Sequence, residues 1–158
     1  DADATHWDGS LEYMWNDVVN DKAAHTGNDA STTPKHISFD LGVEAKLSRF
    51  NLKTIPDDKH WFNDVTPRFY EIWGSLNPDP SGSFDSWTKL VSVENVKPSG
   101  LSVGNITEDD RAVVRNGDDA DIPIEMPKVR YLRIVCTKNW SGNTNMCISE
   151  ITVWGDDN

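Results

Sequence analysis

Two short stretches hold the residues best suited to chemistry. KHWFND (59–64) and TKNWSGNTNM (137–146) each set a tryptophan among polar side chains, in what the flanking sequence marks as loops. An exposed indole in such company suits a polyol with apolar faces, because the ring stacks on C–H groups while amide, imidazole or guanidinium groups satisfy the hydroxyls. The alternative for Trp61 and Trp140 is a ring that simply staples its own loop. Of the other tryptophans, Trp73 and Trp154 sit within strand patterns and are expected to pack. Trp87 directly follows the turn NPDPSGSFDS and is expected to fold back onto the core, and Trp15 lies beside a loop.

Other chemistries find little support. His6, His25, His36 and His60 lie far apart and lack metal-ligand spacing. There is no G-x-S-x-G elbow, phosphate-cradling glycine loop or reactive-cysteine signature. Carboxylates are so numerous that some pair must fall at glycosidase separation by accident. The chain is therefore read as non-catalytic.

At 158 residues and net charge −11, the chain is read as one domain over 1–158, with 1–7 a lead-in segment. That length suffices to bury roughly two-thirds of the unfolded surface. The acidity disfavours nucleic acid and anionic membranes, which recruit Lys and Arg clusters, but does not oppose neutral ligands. No run approaches the ~18 apolar residues of a membrane span. The chain opens DADATH, without Met or a leader, and is expected to be a processed product or part of a longer one. Cys136 and Cys147 flank the second tryptophan loop; a cross-strand disulfide and two buried thiols are both open.

The elements that must position these loops are strands. HISFDLG (36–42), LSRFNLKTI (47–55), PRFYEIWGS (67–75), SWTKLVSV (86–93), ADIPIEM (120–126), RYLRIVC (130–136) and CISEITVWG (147–155) are rich in β-branched and aromatic residues and bounded by turn formers. The phase shift between Leu47 and Phe50 predicts a bulge. Pro123 predicts an edge or a bulge. LEYMWNDVVNDKAA (11–24) is mostly loop with at most a helical turn or two, and polar connections span 60–66, 77–85, 97–117 and 137–146. Seven short strands without long helices between them predict an all-β, antiparallel β-sandwich.

From Asp8 onward the order of DGSLEYMW, HISFDLG, RFYEIWGS with SWTKL, RYLRI and ISEITVWG resembles the discoidin or coagulation-factor-5/8 type C domains. These galactose-binding-like jelly rolls include the family 32 carbohydrate-binding modules. With KPSGLSVG (97–104) added, the pattern is similar to C-terminal domains of unknown function on Bacteroidetes surface lipoproteins encoded beside polysaccharide-uptake genes. The resemblance implies a non-catalytic glycan-binding module of a larger extracellular, outer-membrane-surface or periplasmic protein. The alternative is a protein-adhesion or scaffold domain of a surface glycan-uptake complex. A lipid-binding discoidin mode would need basic residues around apolar loop tips, which the net charge opposes.

The resemblance also implies sites. The family's ligand site lies on loops at one end of the sandwich, which points to Trp140 and Trp61 as platforms. His60, Asn139, Asn143 and Arg68 would be the polar partners, while Trp15 occupies a position the family commonly buries. Many members hold a structural calcium near the DG opening, for which Asp8 and Glu150 match. Ser10 and Tyr13 stand where the family usually has an acidic residue and a Thr, leaving fewer oxygens for a cation that wants six to eight.

Overall fold

One strand organises the molecule. In the computed structural model, which describes residues 9–20, 22–27 and 33–158, HISFDLG and LSRFNLK are not two strands but one, β2 (Lys35–Lys53). Its first part pairs antiparallel with β6 (Val129–Asn139), from Lys35↔Cys136 to Ala45↔Val129, with an irregularity between Asp40 and Ala45. Its second part lies between β8 (Glu150–Asp156) and β5 (Asp118–Asp121). The register shifts between Leu47 and Arg49, where the sequence pattern slips phase.

Two layers result. The first has the order β4 (Thr88–Glu94), β3 (Pro67–Ser75), β6, β2, and the second β8, β2, β5. A short pair, β1 (Ala24–His25) with β7 (Cys147–Ile148), closes one side. The architecture is the antiparallel sandwich that the alternation predicts. Ile37 from β2, Tyr70 and Ile72 from β3, and Leu132 and Ile134 from β6 meet Phe50, Leu52 and Ile151 in one buried core. Period-two side chains on each strand make this possible, since alternate residues face the core.

Beyond the merged strand, the sequence reading erred at two places. ADIPIEM pairs only at its start: β5 ends at Asp121, and Pro123 lies beyond it in an exposed turn. The 97–117 connection contains a helix, α1 (Glu108–Asn116). Thr107 and Asp110 form its capping box, and Gly117 ends it at φ +80°. As expected for 11–24, the DG opening leads into a single 3₁₀ turn, Leu11–Trp15. Gly9 there has φ +87°, and a Cβ would lie 1.7 Å from the Ala23 carbonyl oxygen, so no other residue fits.

The two cysteines are buried thiols rather than a disulfide. Cys136 faces the core, where burial pushes its thiol up to about 12, and Cys147 Sγ lies 3.6 Å from His25 Nε2. No helix among the described residues is long and apolar enough to cross a membrane.

Candidate functional site

The loop after β6 is built around one amide. Asn139 is fully buried. Its Oδ1 accepts from the backbone N–H of Ser141 (3.0 Å) and Asn143 (3.1 Å), while its Nδ2 donates to the Asn145 carbonyl (2.9 Å) and to Asn143 Oδ1. Asn143 Oδ1 in turn accepts from Asn145 N–H at 3.2 Å. Asn139, expected as a ligand partner, is consumed in holding the loop, which corrects the sequence reading: an amide whose four hydrogen bonds are made within the loop has nothing left for a ligand. Asn143 gives its Oδ1 to the same network and is only partly buried.

What that turn displays is Trp140. Its backbone N–H donates to the Thr66 carbonyl (3.1 Å) and its Nε1–H to Asn95 Oδ1 (2.8 Å). The partly buried indole meets Phe62 edge-on at 5.5 Å, and the Arg68 guanidinium lies over the ring, 4.4 Å from its centroid. Arg68 approaches Glu94 at 3.8 Å, and its buried Nε has no hydrogen-bond partner. Trp140, Arg68, Glu94, Asn95 and Leu101 line a hollow of about 280 Å³.

Trp61 is not part of it. The ring is 5% exposed, donates Nε1–H to the Ile55 carbonyl at 3.0 Å, and packs with Phe62 and Val114 of α1. A covered ring offers no stacking face, so this expectation is also corrected; the stapling alternative holds for Trp61. His60 is partly buried, its carbonyl accepts from Thr66 Oγ1, and it does not line the hollow. Neighbouring Phe62 is held at φ +51°, a left-handed conformation that costs a bulky residue about 1–3 kcal/mol and persists only where the surroundings enforce it. Two surface rings also depart from expectation. Trp154 is 40% exposed beneath the Arg49 guanidinium, and Trp15 is 46% exposed, against Phe39.

The far wall of the hollow is the KPSGLSVG segment, which two buried charges fold. Lys97 Nζ donates to the carbonyls of Ser102 (3.1 Å) and Asn105 (2.6 Å). Asp110 accepts from Ser99 N–H (3.0 Å), Ser99 Oγ (2.7 Å) and Thr107 N–H (2.9 Å). Burial raises the Asp110 carboxyl, but these donors outweigh it and bring it down to about 2. The segment leaves Val96, Leu101 and Val103 at the surface, each at least 50% exposed.

Behind Asn95 runs a polar relay. Asn95 Nδ2 donates to Asp118 Oδ1 at 2.7 Å, and Tyr70 Oη donates to Asp118 Oδ2 at 3.2 Å. Desolvation pushes Asp118 up to about 6, against the pull of the Asn95 and Tyr70 hydrogen bonds. The sequence reading missed Asn95, Glu94 and Leu101; the partners that give Asn95 its role lie 45 and 23 residues away.

The chain matches the DUF5000 family, described as a domain of unknown function, over residues 7–155. The chain belongs to that family. Among solved structures, this DUF5000 domain is 48% identical to a SusE-like protein, covering 97% of this chain and 92% of that one, with a TM-score of 0.93. It also aligns with CBM32-3 of a family 31 glycoside hydrolase from Clostridium perfringens, at 16% identity, coverage of 99% and 88%, and TM-score 0.70. The CBM32-1 and CBM32-2 domains of ZmpB from Clostridium perfringens align at 13% identity, covering 99% of this chain and 34% of that one, with TM-score 0.66. These last two establish the fold alone: a galactose-binding-like, discoidin sandwich. No curated protein matches the sequence.

For the DUF5000 domain, the calcium expected from the resemblance can be tested only on one ligand, since Asp8 lies outside the described residues. Glu150 is buried, and its Oε2 has no hydrogen-bond partner. Desolvation raises its carboxyl, with the backbone N–H groups of Val18, Asn16 and Asp17 pulling the other way. An orphaned carboxylate oxygen fits one position of a hard-cation site. Among the described residues no three His, Cys, Asp or Glu cluster to hold a metal, so Glu150 would need backbone carbonyls, amide oxygens, water or Asp8 beside it.

Proposed function

We propose that this domain is a non-catalytic carbohydrate-binding module of a cell-surface protein, and that it grips glycan at the Trp140 hollow. The observation that carries this reading is an indole fixed from behind by Asn95 and plated by Arg68 at the mouth of a small polar-walled hollow. The ring would stack on a sugar face, Glu94 would accept hydroxyl donors, and the Arg68 guanidinium would donate to a hydroxyl oxygen. The likeness to a SusE-like protein and to CBM32 modules supports both the glycan class and the surface location. The hollow is shallow, so a single site would bind at millimolar dissociation, about −4 kcal/mol. The test is titration of oligosaccharides against wild type and Trp140→Ala. About tenfold or greater weakening is expected; equal binding by the two proteins would place the site elsewhere.

One observation favours a second reading. Val96, Leu101 and Val103 stand exposed near the hollow, as the apolar rim of a protein-docking surface would. Under that reading the domain is a scaffold within a glycan-uptake complex, and Val103→Asp, which does not line the hollow, would abolish assembly without altering sugar titrations. The structural calcium is retained in the proposal, with Glu150 supplying one oxygen where the opening segment meets β8. Protein atoms already tie that junction, since Ser149 Oγ donates to the carbonyls of Asn20 (3.2 Å) and Lys22 (3.4 Å).

A further inference from the structure

The outer face of the first layer carries a second and larger hollow. On β6, Leu132 and Ile134 face the core, so Tyr131 and Arg133 face outward; their register partners Asp40 and Ser38 on β2 stand beside them. The segment from Pro78 to Trp87 rises over these four residues and encloses about 420 Å³, within the ~300–1,000 Å³ usual for small-molecule sites. Arg133 and Trp140 are seven positions apart on and just past β6, roughly 20 Å along an extended chain. The two hollows share no residue.

The wall is preorganised. Asp79 N–H donates to Ser86 Oγ (2.8 Å), Ser81 N–H to Asp79 Oδ1 (2.7 Å) and Gly82 N–H to the Asp79 carbonyl (3.0 Å). Arg133 Nη1 donates to the Gly82 carbonyl at 3.0 Å, and its guanidinium lies 4.7 Å from the Phe84 ring and 4.2 Å from the Trp87 ring. Phe84 meets Trp73 edge-on at 5.2 Å. The sheet and the wall are thereby locked before any ligand arrives, which removes much of the ordering cost of binding.

The chemistry of the lining selects the ligand. Asp40 is held below the ordinary carboxylate range chiefly by Arg130, whose Nε lies 3.0 Å from it, and Asp79 is held below by Ser81. Both are therefore ionised near neutrality and accept hydrogen bonds only. With Arg130 and Arg133 their charges balance, so neither an anion nor a cation is favoured. Tyr131 and the two prolines supply apolar faces. Trp87 is 7% exposed and its Nε1–H has no hydrogen-bond partner; an unpaired buried donor is costly, and a ligand oxygen accepting from it would offset that cost.

We propose that this sheet-face hollow is a second binding site, for a neutral hydroxyl-rich ligand the size of one or two sugar rings. It shares its ligand class with the proposed function but none of its residues, so each can fail alone. The experiment is an NMR titration of the whole domain with galactose, glucose, mannose and N-acetylglucosamine, following the indole N–H signals of Trp87 and Trp140 separately. The Trp87 signal is expected to shift saturably with at least one of the four, to do so equally in Trp140→Ala, and to need about tenfold more sugar in Tyr131→Ala. A shift at Trp140 alone would overturn this site and sustain the other. A shift at Trp87 alone would sustain this one and remove the other, and silence at both would overturn both. Loss of the Trp87 response in Trp140→Ala, or an unchanged response in a folded Tyr131→Ala, would also overturn it.

Discussion

The loops spanning residues 56–66 and 137–146 touch each other, and each presents a tryptophan, yet they handle the ring in opposite ways. In the first, the indole N–H closes onto the Ile55 carbonyl of its own segment, and α1 packs over the face. In the second, the loop is closed by Asn139, and the indole N–H reaches Asn95 at the end of a different strand. A ring that satisfies its own loop becomes core. A ring relieved of that duty by a neighbouring amide stays partly exposed, with Arg68 over its face.

The comparison breaks first on stability. Trp61→Ala should cost about 3–5 kcal/mol, as buried aromatic truncations do, with glycan affinity unchanged in the fraction that remains folded. Trp140→Ala should cost only about 1–2 kcal/mol while losing the affinity; chemical denaturation alongside the sugar titration checks both. If the two variants lost stability equally, the distinction would disappear. Next in size, Asn139→Ala strands the Asn143 backbone N–H, while the Ser141 N–H keeps the Asp64 carbonyl, and should cost about 2 kcal/mol, with a parallel loss of binding because Trp140 loses its mount.

A smaller effect separates the rings by pH. Asp118, behind Asn95, has a folded value of about 6 against an ordinary 3.8. The stability it contributes is fully present below about pH 4 and is lost as pH rises through about 6, with a slope below the one-proton limit of about 1.4 kcal/mol per pH unit. Denaturation from pH 4 to 7 should show this decline, and Asp118→Asn should remove it. The Trp140 indole N–H resonance should titrate near pH 6 in wild type, whereas that of Trp61 should not. Smallest is the metal: chelator should lower the melting temperature by a few degrees at most, following occupancy. No shift would argue against calcium at Glu150.

Much of the frame was legible because alternation is local. RFYEIWGS and RYLRIVC needed only their own residues to be read as strands, and the slip after Leu47 was visible in the string. α1 was equally local, since Thr107, Asp110 and Gly117 mark its two ends, and the long polar connection around it concealed the signal. The site was different. Nothing in KHWFND tells that Val114, some fifty positions on, will cover Trp61, and nothing in TKNWSGNTNM names Asn95. Asn139 reads as a ligand donor until its four hydrogen bonds are traced, three to neighbouring backbone and one to Asn143. Trp154 and Trp15 went the other way: strand or family context suggested packing, but each lies where its layer meets solvent.

The shared strand β2 has a mechanical consequence. Because one uninterrupted backbone belongs to both sheets, neither sheet can peel away without dragging the other's hydrogen bonds with it. The domain should melt in a single all-or-none transition, and partial opening that would admit a protease should be scarce. Resistance to cleavage then depends on global unfolding rather than on the weakest edge.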